Sequence, residues 1–94
     1  MVSINELNGM NVVADDAFTI GEVVGAEVNT QNWHITHLQV KLSNEAAERF
    51  EYKKPIVGRV TALLPISVVK AVGDIISLDK STIEIKGIIR LKKD

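Results

Sequence analysis

Within residues 34–42, apolar and polar residues alternate from His37 to Leu42. Leu38, Val40 and Leu42 fall on one side, and His37, Gln39 and Lys41 on the other. A period of two predicts a β-strand with one buried face, the signature of an antiparallel sheet. Residues 10–14 (MNVVA) read as a shorter, β-branched strand, and Asp15-Asp16 as the turn after it. Residues 19–29 (TIGEVVGAEVN) form the next strand, which is too long to stay regular. Ile20 and Val23 are an odd step apart, so an ideal strand puts them on opposite faces, whereas Ala26 and Val28 resume the alternation. A bulge near Gly25 reconciles these positions. Residues 30–32 make a polar hairpin loop, and Trp33 stands at its tip.

The period then changes. In residues 43–50 (SNEAAERF), Ala46, Ala47 and Phe50 share a face at helical spacing. Ser43 is placed to cap this helix, and Glu45 suits the positive end of its dipole. Residues 51–58 are a loop stopped by Pro55. Residues 59–64 return to strand, with Val60, Ala62 and Leu64 on one face. The apolar run ending at Leu64 then meets Pro65. One helical turn follows, with Ser67 placed to cap it, and Gly73-Asp74 turns the chain into a strand over residues 74–78. Ser3 is placed to cap a further turn near the start. The tail, residues 80–94, carries two patterns. Ile83, Ile85, Ile89 and Leu91 alternate with Glu84, Lys86, Arg90 and Lys92, which is strand patterning broken only at Ile88. Ser81 with Glu84 is also a capping box, and Ile85, Ile88 and Ile89 make a helical stripe. The alternation covers more positions and favours strand; the helix stays open.

Composition narrows the chemistry. Ninety-four residues suit one domain. With 46% apolar but only 4% aromatic residues, the core must be aliphatic. A formal net charge of -1 supplies no long-range field for nucleic acid or an anionic membrane. Without cysteine there is no disulfide, thiolate nucleophile or Cys-ligated metal. No signal peptide is visible, and no apolar run approaches the ~20 residues of a membrane span. The expectation is a cytoplasmic chain without membrane insertion.

Two segments carry a resemblance. In LNGMNVVADDAFTIGEVVGAEV, residues Gly9, Val12, Ile20, Gly21 and Val23 fit a Gly-x-x-Val strand, a turn and an Ile-Gly-x-Val strand. In LPISVVKAVGDII, the run from Pro65 to Asp74 is close to Pro-Val-Ser-x-Val-x-x-Val-Gly-Asp. In this order and spacing the chain resembles the PRC-barrel family, the small barrel shared by the photosynthetic reaction-centre H subunit and RimM. The resemblance covers most of residues 7–78 and implies a mainly β fold: a small PRC-type β-barrel of about six strands with one short inserted α-helix, taken as a barrel domain over residues 1–80. Residues 81–94 read, from their own pattern, as an aliphatic C-terminal tail that packs on the barrel or on a partner subunit. Ala17 and Phe18 stand where the family often has a turn glycine, so this turn is expected to avoid positive φ. Trp33 replaces a small or charged residue. The inserted helix with KKPIVG looks like a compact archaeal branch, some members of which are cell-division adaptors associated with the SepF-type anchor of the FtsZ ring.

No catalytic constellation accompanies this fold, and neither an enzyme nor a cofactor is expected. His34 and His37 point to opposite faces of a strand and do not make a metal pair. Asp15-Asp16, near Glu22 and Glu27, read as turn formers. Gly21 and Gly25 open no helix after a strand, so they are no phosphate loop. Arg49, Lys53, Lys54 and Arg59 cluster around the loop after the helix. They carry the alternative reading, an RNA-binding or ribosome-maturation module, although stacking aromatics are scarce there. Trp33 is the candidate anchor for a protein partner. The strand faces turned away from the interior still hold Ile35, Leu63 and Ile75, and the tail adds Ile83, Ile85 and Ile89. That surplus of aliphatic surface predicts an interface, here a twofold homodimer or a further protein partner. Trp33, Leu63, Ile83, Ile85 and Ile89 are its expected contacts.

Overall fold

In the computed structural model, residues 3–53 and 58–92 are described. Seven strands make up the sheet: β1 (Asn11–Val13), β2 (Thr19–Asn29), β3 (His34–Leu42), β4 (Thr61–Pro65), β5 (Val69–Val72), β6 (Ile76–Leu78) and β7 (Arg90–Leu91). Three short helices accompany them: α1 (Ile4–Leu7), α2 (Asn44–Arg49) and α3 (Thr82–Lys86). The strand order is β5-β6-β1-β2-β3-β4-β7. All pairings are antiparallel except β1 with β6, which run parallel. The expected mainly β architecture is therefore present, with one more strand than the sequence patterning suggests.

The expected closure is not. Among the described residues β5 and β7 form the two ends of the sheet and do not pair with each other. Both end strands are short. β7 is two residues long, and β5 carries a register shift between Val69 and Ala71. β5 itself was hidden in the sequence, because a single turn of 3-10 helix (Ile66–Val68) separates it from β4. No side chain caps that turn; Pro65 enters it, and Ser67 lies inside it rather than at its start.

Bulges explain how β2 buries residues an odd step apart. The register to β1 slips between Val12, which faces Gly21, and Val13, which faces Thr19, leaving Ile20 as the extra residue. Ile20 and Val23 are both buried. A second slip lies between Val23 and Gly25, where a bulge was expected, but it serves to re-aim Ala26. Gly21 is required at the first site, because a Cβ there would overlap the Lys41 carbonyl and Leu42 backbone.

The turn between β1 and β2 corrects an expectation. Ala17 adopts φ 67°. The Ala14 N–H donates to the Phe18 carbonyl (2.9 Å) and the Ala17 N–H to the Ala14 carbonyl (2.9 Å). A turn this tight holds the left-handed backbone without a glycine.

One aliphatic cluster forms the core. Val12, Ile20, Val23, Leu38, Val40, Leu42, Ala62, Leu64, Ile76 and Leu78 meet Ala46 and Phe50 of the α2 segment. Ser43 caps α2 by accepting from the Ala46 N–H at 3.1 Å. The tail belongs to this same core. Ile85 and Ile89 are buried in it. Residues 82–86 are helical and only Arg90–Leu91 is strand, which reverses the preference read from alternation. The reason is local. The Ser81 hydroxyl accepts from the Glu84 N–H (3.3 Å), and the Glu84 carboxylate accepts from the Ser81 N–H (3.0 Å). The Asp16 carboxylate then takes the Thr82 N–H (3.3 Å) and hydroxyl (2.8 Å). These acceptors satisfy the free donors that begin a helix. No described helix is long and apolar enough to cross a membrane.

Candidate functional site

Two surfaces stand apart from the rest. The first is the tip of the β2–β3 hairpin. β1 pairs with β2 only at Thr19, Gly21 and Glu22, and β4 leaves β3 at His37. Beyond those points the hairpin stands as two strands without a third. Its loop is fixed by its own backbone and two asparagines. The Asn29 side chain accepts from the Gln31 N–H (2.9 Å), the Asn32 side chain from the His34 N–H (3.0 Å), and the Asn29 carbonyl from the Trp33 N–H (2.6 Å). Trp33 is held at φ 61° with 74% of its surface exposed. Val28 is exposed along the same arm, and Val24 nearer its base. The arm is braced by a hydrogen bond from the Gln39 amide to the Glu27 carboxylate (2.7 Å).

The second surface lies beside β7. Tyr52, Leu63, Ile89, Arg90 and Leu91 line an open groove of about 660 Å³. The Tyr52 hydroxyl donates to the Ile89 carbonyl at 3.2 Å, and burial raises its pKa. The Tyr52 ring meets Phe50 edge-on, 6.2 Å between centroids. Tyr52, Arg90 and Leu91 were not singled out from the sequence. Their meeting depends on where α3 returns the chain, which no local pattern reveals.

The remaining expected contacts divide. Leu63 is half-buried in this groove. Ile83 is 84% exposed, beside a smaller cleft with Arg49, Phe50, Thr82 and Lys86. Ile85 and Ile89 are corrected: at 0% and 5% exposure they are core, because the helical turn aims both at the sheet. Ile35 is half-buried and Ile75 exposed, outside β6.

Among the described residues the basic cluster lines more than one hollow. The Arg49 guanidinium sits 4.3 Å from the centre of the Phe18 ring, a cation–π contact. Arg59 lines a different hollow with Asn11, Thr19, Glu22 and Ser43. There Lys41 bonds Glu22 at 2.9 Å and, with a smaller contribution from Arg59, lowers the Glu22 pKa. Lys53 is exposed, and Lys54 lies outside the described residues.

Asp16, Glu22, Glu27 and His37 have structural partners. Asp16 clamps the start of α3, and its pKa is lowered chiefly by the Thr82 hydroxyl. The His37 ring contacts the Thr36 hydroxyl at 3.0 Å. Among the described residues no three His, Cys, Asp or Glu side chains are grouped to hold a metal ion. No known protein family matches the chain. No curated protein matches it either.

Proposed function

We propose that this chain is a non-catalytic protein-interaction module with Trp33 as its anchor. The observation that carries the reading is the state of that residue. A bulky side chain in the left-handed region costs backbone energy, and leaving an indole in water forfeits the burial it could contribute. Here both costs fall on one residue at the end of a braced arm. Tryptophan presented this way is the residue type most often found at interface hot spots. The sheet is read as a PRC-type barrel left open between β5 and β7. The sequence resemblance then makes the partner a component of the archaeal division apparatus, with this chain as an adaptor to the SepF-type anchor of the FtsZ ring.

A second copy would cover the aliphatic surface that Ile75 and Ile83 leave exposed, whereas Ile85 and Ile89 belong to the protomer's own core. The alternative reading, an RNA-binding module, would use Arg49, Lys53 and Arg59, of which Arg49 and Arg59 line separate hollows.

The test is affinity capture from the native host with the unaltered chain, Trp33→Ala and Ile83→Ser. Loss of the division-ring anchor with Trp33→Ala alone, at unchanged thermal stability, supports the proposal. Retention of every captured protein by Trp33→Ala overturns the anchor.

A further inference from the structure

We infer that the outer edge of β7 is a docking strand for an extended, acidic peptide segment of a partner; the inference rests on the interaction-module reading and adds the partner's chemistry. Backbone register supplies the first argument. The Lys92 N–H donates to the Thr61 carbonyl at 3.0 Å, and Leu91 faces Ala62 in the same ladder. In an antiparallel pair, bonded and non-bonded positions alternate. Lys92 bonds to β4, so the Leu91 N–H and carbonyl are directed away from β4, toward the open side. That is one donor and one acceptor for a further strand, the arrangement used in β-strand addition.

Side chains supply the second argument. The groove next to this edge has an apolar floor, made of Leu63, Ile89, Leu91 and the Tyr52 ring. Alternate side chains of an added strand would descend into it. Charge supplies the third. Arg90 lines the groove and Lys92 follows it; among the described residues the Lys92 ammonium reaches the neutral Gln39 amide, at 3.4 Å. Among the described residues no carboxylate lines the groove and none pairs with either cation. Cations on an edge strand repel a second identical edge. They select instead a strand of opposite charge, which decides between a copy of this chain and an acidic partner.

The test uses the full chain and two fluorescein-labelled eight-residue peptides, one alternating glutamate with leucine and valine, the other with lysine in place of glutamate. Binding is read by anisotropy and by amide shifts in ¹H–¹⁵N spectra. The expected result is at least a tenfold preference for the glutamate peptide, weakening as salt is raised. Shifts should centre on Leu63, Arg90 and Leu91. Arg90→Glu with Lys92→Glu should reverse the preference. Leu91→Pro should weaken binding, since it removes the outward N–H without touching a bond to β4. If the double variant unfolds, the peptide comparison and Leu91→Pro decide alone. Equal affinity for both peptides, no binding, shifts centred on the hairpin tip, or self-association through β7 would each overturn the inference. Peptide binding should be indifferent to Trp33→Ala, so failure here and failure of the Trp33 anchor are separate outcomes.

Discussion

The hairpin tip and the tail are held in opposite ways. The tip is fixed by contacts between near neighbours, Asn29 to Gln31 and Asn32 to His34, and it turns its largest apolar side chain outward. The tail is fixed by contacts that span the chain. Asp16 holds Thr82, the Asp15 N–H donates to the Lys80 carbonyl (2.8 Å), and Tyr52 holds Ile89. It turns Ile85 and Ile89 inward. Local bonds can keep a loop in shape, but they leave its exposed residue without a role in stability. Long-range bonds make the tail part of the core, and a change there is felt by the whole fold.

The contrast is sharpest at Ile85. Ile85→Ala leaves a cavity at a fully buried site and should cost ~2–5 kcal/mol in urea denaturation; a loss under 1 kcal/mol would mean the tail is not integral. Tyr52→Phe removes the bond to the Ile89 carbonyl and should cost about 1 kcal/mol by the same measurement. Thr82→Val should have a smaller effect, visible mainly through pH. The Asp16 pKa is lowered in the folded chain. Its stabilisation is therefore complete above the ordinary aspartate range and is lost as pH falls through the lowered value, below about pH 4. Thermal melts of Thr82→Val across that range should fall less steeply than those of the unaltered chain; parallel curves would remove Asp16 from the account. Trp33→Gly should change stability least, within about 0.5 kcal/mol for an exposed site, with a bias toward stabilisation because glycine accepts φ 61°. A large loss would show that the indole supports the fold.

Much of the sheet was legible because its signals are short in range. The alternation of β3 and the Ser43 cap depend on residues within a few positions of each other, and both are present. The tail was misread because Ile83, Ile85, Ile89 and Leu91 satisfy two periods at once. The capping box was the better guide, since it names specific donors and acceptors rather than a face. Beyond reach were the clamp between Asp16 and Thr82, 66 residues apart, the parallel pairing of β1 with β6, and the groove beside β7. Each is created by topology, which periodicity does not encode. Trp33 was identifiable as a candidate by its type and its place in a loop. Its left-handed backbone was not, because the neighbouring asparagines set it.

The parallel pairing of β1 with β6 governs the order in which the molecule can be finished. Val12 lies opposite Ile76, so β1 waits, one flank bare, for a segment far along the chain. β4 waits likewise for Arg90 and Leu91. Contacts so distant along the chain are slow to form. A chain folded only through β4 therefore has a meander of four strands with both edges unpaired.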